Sequence, residues 1–136
     1  MSAEFSYRRR VQFAETDLAG IVHFSWYFRY MEEAEHALWR HLGMSISPPK
    51  PEVGFPRVNA TCDFKAPLRF EDEADVRIRV EMLGKRSIRY ACRISLGDVV
   101  VATGTMTSAC VSRDAGGQVR SIDVPESVVT RLRSMG

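Results

Sequence analysis

An acidic residue just before a long predicted helix is the feature of this chain best suited to chemistry. Asp17 lies in the turn-forming stretch from Glu15 to Gly20, which is followed by the apolar residues Ile21 and Val22. A helix N-terminus presents unpaired N–H groups and a partial positive charge, which polarise a carbonyl oxygen placed there. A nearby carboxylate can attack that carbonyl or deprotonate a water molecule that does. Asp also forms Asx turns with nearby backbone, so a purely structural role for Asp17 stays open.

Other catalytic and ligand motifs are missing from the sequence. It contains no GxSxG elbow, no G-x-x-x-x-G-K-[ST] loop and no G-x-G-x-x-G after a strand. His36 and His41 are five residues apart and do not share a helix face, so we expect no metal site on this helix. The cysteines are widely spaced without a CxxC pair, which predicts small buried thiols and a reducing cytoplasm: Cys62, Cys92 and Cys110.

Length and charge narrow the class of protein. The chain has 136 residues with a formal net charge of +2, which favours one domain spanning 1–136. The charge is too near balance to indicate nucleic-acid binding. No apolar run approaches the roughly 20 residues of a membrane span, and no secretory signal pattern opens the sequence. We therefore expect a cytoplasmic protein with no membrane and no nucleic-acid partner.

The residues from Trp26 to Leu42 predict one long amphipathic helix. They include no Pro or Gly, and their apolar stripe recurs at helical spacing: Tyr27, Met31, Ala34, Leu38 and Leu42. The opposite side is polar: Arg29, Glu33, His36 and Arg40. Phe28 and Trp39 flank the stripe and widen it, which indicates a second partner such as another subunit. Gly43 is a suitable stop, and Ser47 to Pro51 is predicted as a loop.

Most of the remaining chain predicts antiparallel strands. A first strand is expected from Tyr7 to Phe13, with the triplet Arg8-Arg9-Arg10 as solvated strand surface; contact with an anionic partner is the alternative. Alternating apolar residues predict one-faced strands at 58–64, 76–82 and 88–96, with hairpin turns at Gly84 and Gly97. The run from Val99 to Val111 favours a central strand covered on both faces, and Pro125 opens a short helix. This order indicates an α+β layer of one helix on one sheet.

The segment around Asp17 resembles a known family. Its motif consists of Phe13, Thr16-Asp17 and Ala19-Gly20-Ile21-Val22-His23-Phe24, with Tyr27 in the helix that follows. This pattern is similar to the 4-hydroxybenzoyl-CoA thioesterase family of hotdog-fold acyl-CoA thioesterases. Weaker matches continue along the chain: Glu32, Pro67, Asp72, 85–87 and 120–125. The resemblance implies a hotdog fold, in which a curved antiparallel sheet of five or six strands wraps one long central helix. It also implies a homodimer or homotetramer with active sites at subunit junctions.

The resemblance also implies roles for particular residues. Asp17 corresponds to the catalytic carboxylate, and the backbone N–H of Phe24 corresponds to the donor that polarises the thioester carbonyl. Tyr27 is expected to contact substrate. The family often has Tyr or Trp where this chain has His23, so His23 either lines the pocket, bonds near Asp17 or is a partly buried polar residue. Ser25 stands where the branch with aromatic substrates often has Pro, which leaves the acyl group open.

Basic residues are expected to hold the coenzyme A part of the substrate. Lys85 and Arg86 lie in a predicted hairpin turn, where charges are otherwise simply solvated, and the family binds phosphates near this place. Arg120 is a further candidate. The implied activity is hydrolysis of an acyl-CoA to a carboxylic acid and CoA, without a metal or redox cofactor. The alternatives are a hotdog module that binds acyl-CoA without hydrolysing it, and a hydratase or dehydratase of similar fold.

The donor and the acyl group stay open in the sequence. Trp26, Tyr27 and Phe28 favour an aromatic or bulky acyl group, but aromatic residues on a helix also serve as core. A short or medium aliphatic chain, or an acyl carrier protein as donor, is equally compatible with the motif.

Overall fold

One long helix lies against a five-stranded antiparallel sheet in a computed structural model, which describes residues 3–47 and 52–135. The helix is α1, Ser25–His41. The sheet has the order β1-β4-β5-β6-β3, and its strands are β1 (Phe5–Arg10), β3 (Arg57–Phe64), β4 (Glu73–Leu83), β5 (Ser87–Leu96) and β6 (Val99–Ala109). A small second sheet joins β2 (Val53–Gly54), β7 (Val111–Arg113) and β8 (Val119–Ser121), and α2 spans Glu126–Arg133. The predicted α+β architecture is confirmed.

Helix α1 matches its predicted range to within one residue at each end. The stripe Tyr27, Met31, Ala34 and Leu38 is buried against the sheet. Gly43 ends the helix in the left-handed region, with φ of 78°. Its N–H donates to the Arg40 carbonyl at 3.0 Å, and the Met44 N–H donates to the Trp39 carbonyl at 2.8 Å. This pair of bonds is a Schellman motif, which satisfies carbonyls that the helix leaves free. The predicted loop beyond Ser47 lies outside the described residues.

The predicted period-two pattern is confirmed in β4 and β5, whose apolar residues form the core against α1: Val76, Ile78, Val80, Ile88, Tyr90, Cys92 and Ile94. Burying each large aliphatic side chain contributes about 1.5–3 kcal/mol. Met82 was expected on the same face, but a register shift between Val80 and Met82 leaves it exposed. The extra residue of a bulge turns the side chains beyond it to the other face. The predicted buried thiols are found at Cys92 and Cys110, with Cys62 half-buried.

Two sequence expectations fail at the start of the chain. Strand β1 ends at Arg10 rather than Phe13, because residues 13–15 form a short 3-10 turn instead. The Arg triplet is not uniformly solvated. Arg8 and Arg10 are exposed and pair with Glu73, whereas the Arg9 side chain is 12% exposed and points inward. Alternation along the strand places the middle residue of the triplet on the core side.

Strands β3 and β6 also differ from expectation. In one chain the second face of β6 is covered only in part, since Val101 on that face is buried but Thr103 and Thr105 are half-buried. One long helix is enough to cover only one face of the sheet. The alternating apolar residues of β3 are not core: Val58 is 61% exposed and Phe64 is 49% exposed. β3 is the last strand of the sheet and has a neighbouring strand on one side only, and a register shift between Arg57 and Asn59 brackets Val58.

Within the described ranges, neither helix has the length and apolar character that crossing a membrane requires.

Candidate functional site

A tight hairpin carries Asp17. Thr16 and Val22 form an antiparallel bridge at its base, and the Asp17 N–H donates to the Ile21 carbonyl at 2.9 Å. The Gly20 N–H donates back to the Asp17 carbonyl at 3.0 Å, and Gly20 has a φ of 78°. A β-turn followed by a left-handed glycine is a common three-residue hairpin loop. The loop residues of the motif therefore place Asp17 at the base of a defined turn.

The hairpin fixes one oxygen of the Asp17 carboxylate. Oδ1 accepts hydrogen bonds from the N–H groups of Ala19 at 2.9 Å and Ile21 at 3.5 Å, which is an Asx turn. No residue of the described ranges donates to Oδ2. The structural and the chemical interpretations of Asp17 are therefore compatible, because the turn orients the side chain through Oδ1 and leaves Oδ2 available to react.

The backbone at the start of α1 supplies an available donor. The N–H groups of Trp26 and Tyr27 donate to the carbonyls of His23 and Phe24. The Ser25 N–H donates to His23 Nδ1 at 3.3 Å. The Phe24 N–H, which comes just before the helix, has no acceptor in the part of the chain that is described. Such a group is suited to polarise a carbonyl oxygen.

Asp17, Phe24 and Tyr27 line one cleft of about 600 Å³, within the range usual for small-molecule sites. The other lining residues are mostly apolar: Ile21, Val22, Phe64, Ala66, Pro67 and Arg69. Of the described residues in this lining, Arg69 is the one cation. Three of the predicted site residues are thus brought together.

Aromatic rings form one wall of the cleft. The Phe64 ring lies edge-on to Tyr27 at 5.1 Å and to Phe24 at 6.4 Å between centroids. Burial raises the pKa of Tyr27, so its hydroxyl stays neutral at pH 7. Helix α1 and the edge strand β3 are in contact, which brings Tyr27 and Phe64 together.

The residues of the opposite wall of the cleft were not predicted from the sequence. Phe64, Ala66 and Arg69 follow Asp17 by more than 45 residues, and no local pattern links them to it. The link is a tertiary hydrogen bond in which the Val22 N–H donates to the Leu68 carbonyl at 2.8 Å. This bond sets the loop after β3 beside the Asp17 hairpin.

His23 is exposed and is not part of the cleft lining. Its Nδ1 is 2.9 Å from the Ser25 hydroxyl oxygen. Its ring lies against the ring of Phe24, with 4.5 Å between the centroids and a tilt of 32° between the planes. The structure therefore joins His23 to the start of α1 and to one cleft wall, rather than to Asp17.

The predicted phosphate-binding residues lie away from the cleft lining of their own chain. Lys85 and Arg86 are exposed in the turn between β4 and β5, and Arg120 is exposed on β8. Arg86 Nε donates to Asp123 Oδ1 at 2.8 Å, and this hydrogen bond lowers the pKa of the Asp123 carboxyl. The Val124 N–H donates to the Lys85 carbonyl at 2.9 Å, which holds the turn against the segment after β8.

Two of the cysteines are held as thiols by burial. Burial raises the pKa of Cys62 to about 11 and that of Cys92 to about 12, so both remain thiols at neutral pH. Among the residues that the structure describes, no three His, Cys, Asp or Glu side chains cluster as metal ligands do.

Comparison with known proteins agrees with this geometry. A family model of the thioesterase superfamily matches residues 19–103. A hypothetical protein from Aquifex aeolicus has a crystal structure that superposes with a TM-score of 0.87 at 33% identity, covering 94% of this chain and 98% of that one. The structure of a gentisyl-coenzyme A thioesterase gives 0.84 at 32% identity, covering 94% and 99%. A 1,4-dihydroxy-2-naphthoyl-CoA hydrolase from Nostoc punctiforme is 26% identical over 132 residues, covering 96% of this chain and 87% of the relative. The family match over more than half of the chain, together with these hotdog structures, shows that the chain belongs to the thioesterase superfamily and is a hotdog-fold thioester hydrolase.

Proposed function

We propose that this hydrolase cleaves acyl-CoA with Asp17 as nucleophile or general base and the Phe24 N–H as the donor to the thioester carbonyl. The observation that supports this is that Asp17 Oδ2 and the Phe24 N–H, neither of which has a partner among the described residues, lie at one apolar cleft. Once bound substrate or a second copy of the chain closes the cleft, its apolar lining strengthens electrostatic stabilisation of the oxyanion, because little water then competes for the donor.

Two routes lead to the same products. In the first, Asp17 takes a proton from water while the water oxygen bonds to the carbonyl carbon; the carbon–sulfur bond then breaks and the CoA thiolate takes up the proton. In the second, an Asp17 carboxylate oxygen bonds to the carbonyl carbon while the carbon–sulfur bond breaks and the CoA thiolate leaves. Water then cleaves the mixed anhydride, which releases the acid and regenerates Asp17, and a proton from that water passes to the thiolate. Both routes give a carboxylic acid and CoA, and neither needs a metal or redox cofactor.

We propose an aromatic acyl group that carries ring hydroxyls. The wall formed by Phe24, Tyr27 and Phe64 offers edge and face contacts to a flat ring. Arg69 is a donor in the same cleft for a hydroxyl or phenolate oxygen. Two of the similar proteins are named for hydroxyaryl acyl groups, gentisyl and 1,4-dihydroxy-2-naphthoyl.

Lys85, Arg86 and Arg120 are proposed to bind the phosphates of CoA. All three are exposed, as required for a nucleotide that stays outside the acyl cleft. His23 is proposed to act on binding through Phe24, because its ring supports that wall.

The active form is proposed to be a homodimer or homotetramer with residues from two chains at each site. The edge strand β3 exposes apolar Val58 and Phe64, and Phe64 is also a cleft residue. Exposed apolar edge strands invite pairing with another strand. A second copy over this edge is proposed to cover the apolar side chains, to close the cleft and to add basic residues to Arg69, the one cation among the described lining residues.

The test is a panel of thioesters monitored for free thiol, with gentisyl, 1,4-dihydroxy-2-naphthoyl, benzoyl, phenylacetyl, short-chain and long-chain acyl-CoA. We expect the highest kcat/KM for hydroxyaryl substrates. A clear preference for aliphatic chains contradicts the proposed acyl group. Tight binding of every acyl-CoA without thiol release contradicts catalysis and favours a binding module.

A further inference from the structure

Glu15 is a buried carboxylate that the proposed reaction does not use. It is 1% exposed, although Glu is seldom buried without a partner. Its Oε1 accepts from the Tyr30 hydroxyl at 2.6 Å and from the Gln12 N–H at 2.8 Å. Its Oε2 accepts from Arg9 Nη2 at 2.5 Å. Three separate donors therefore fix one side chain between β1 and α1.

Arg9 extends this cluster into a chain of charges. Its Nε donates to Glu33 at 2.7 Å, and Glu33 also accepts from the Tyr7 hydroxyl at 3.0 Å. The Arg9 guanidinium lies 5.0 Å from the centre of the Tyr30 ring. Burial alone would raise the pKa of Glu15, but the hydrogen bonds from Gln12, Tyr30 and Arg9 outweigh it and lower that pKa. Glu15 is therefore held as a charged acceptor.

The backbone of Glu15 is linked to both reacting groups through the residues next to them. Its carbonyl accepts from the His23 N–H at 2.9 Å, and His23 is bonded directly to Phe24. Asp17 follows Glu15 by two residues, after the Thr16–Val22 bridge that closes the hairpin. A single residue thus connects the carboxylate and the carbonyl donor to the rigid core.

We propose that Glu15, held by Arg9 and Tyr30, is a positioning residue that orients the Asp17 carboxylate relative to the Phe24 N–H. Glu15, Arg9 and Tyr30 are together named the Glu15 anchor. This inference rests on the proposed function of that pair. Groups displaced by about 1 Å lose up to about 10²-fold in rate. The anchor does not touch substrate, so it affects kcat and leaves KM almost unchanged.

The chain offers a matched control for each perturbation. Glu35 is also a buried carboxylate, 2% exposed, and Arg57 donates to it at 2.8 Å and 3.2 Å. Tyr90 is fully buried like Tyr30, and its hydroxyl accepts from Trp39 Nε1 at 3.0 Å. Neither control residue contacts the Asp17 hairpin through these bonds. Glu15→Gln is compared with Glu35→Gln, and Tyr30→Phe with Tyr90→Phe.

The experiment measures kcat, KM and amide hydrogen exchange for all four variants of the full chain, well below their melting temperatures. We expect Glu15→Gln and Tyr30→Phe to lower kcat at least about fivefold with KM within about twofold. We expect faster exchange of the Val22 and His23 amides in these variants. The Glu35 and Tyr90 variants are expected to keep kcat within about twofold and to leave those two amides unchanged.

Three results overturn this proposal. They are an unchanged kcat in both the Glu15 and the Tyr30 variants, an equal loss of kcat in the two control variants, or an effect that appears as a raised KM instead of a lowered kcat. Removing one partner of a buried ion pair is strongly destabilising. If Glu15→Gln does not fold, the milder Tyr30→Phe and Tyr90→Phe pair decides by the same criteria. A parent protein that hydrolyses no thioester contradicts the proposed function instead, and exchange at Val22 and His23 then decides on the anchor alone.

Discussion

Replacing Asp17 with Asn tests the proposed catalytic role most directly. The amide oxygen of Asn still accepts the Ala19 N–H, so the Asx turn is retained. The NH₂ group takes the place of Oδ2, which has no donor within the described residues and is the atom proposed to react. The substitution therefore removes both the base and the nucleophile while it preserves the hairpin.

The expected loss in kcat is at least about 10²-fold, the low end for removal of a general base. This factor corresponds to about 2.7 kcal/mol of transition-state stabilisation. Asp17 is exposed, so we expect the unfolding midpoint to stay within about 3 °C. The assay is thiol release from the best substrate of the panel, with thermal unfolding measured on the same samples.

Asp114 provides the matched control for this variant. It begins a hairpin of the same form, in which the Gly117 N–H donates to the Asp114 carbonyl at 3.0 Å and Gly117 has a φ of 82°. Asp114 Oδ1 accepts the Gln118 N–H at 2.9 Å, so it is also held by local backbone. Asp114→Asn is expected to keep the parent kcat. The reasoning is refuted if Asp17→Asn keeps more than about a tenth of the parent turnover, since a lost base costs at least about 10²-fold.

Three further predictions concern the substrate handle, assembly and pH. Replacing both Lys85 and Arg86 with Ala should raise KM for acyl-CoA more than it changes kcat, and this rise in KM should be smaller at high salt because salt screens exposed charges. KM for acyl-pantetheine, which lacks the nucleotide, should be unaffected. Equal losses for both donors would assign the turn to folding. The solution mass at micromolar concentration should be at least twice the 15.4 kDa of one chain, and Val58→Glu should shift it towards one chain; a monomeric parent would remove the shared-site proposal. The pKa of Glu15 is lowered from its ordinary 4.5, so the stability that its charge contributes is present above that value and is lost as pH falls through the folded-state pKa. Between pH 6 and pH 3 the melting temperature should therefore fall less steeply for Glu15→Gln than for the parent. Parallel falls would show that the Glu15 charge does not contribute.

Features that depend on neighbouring residues were predictable from the sequence. The spacing of Tyr27, Met31, Ala34 and Leu38 indicated the helix and its buried stripe, and the alternation of strands β4 and β5 indicated their core face. The turn at Asp17 and the helix after it are equally local. The resemblance built on that segment is confirmed by the family match.

Features that depend on distant contacts were not predictable. By residue type Arg9, the middle arginine of the triplet, is typical of solvated surface, yet its position in β1 directs its side chain to Glu15 and Glu33. The alternation in β3 has the form of a core strand, yet its place at the edge of the sheet exposes Val58. Side-chain type alone does not distinguish a buried ion pair from a solvated charge, because the partner decides which is stable.

The features of the site also separate into those that depend on neighbouring residues and those that depend on distant contacts. The sequence by itself determined that a carboxylate precedes a helix N-terminus, because turn and helix signals lie within a few residues of each other. Only the tertiary structure decided that Phe64 and Arg69 complete the cleft and that Glu15 ties the hairpin to the core. These arrangements arise from strand order and from hydrogen bonds between elements, which bring together residues whose separation along the chain carries no signal of their contact.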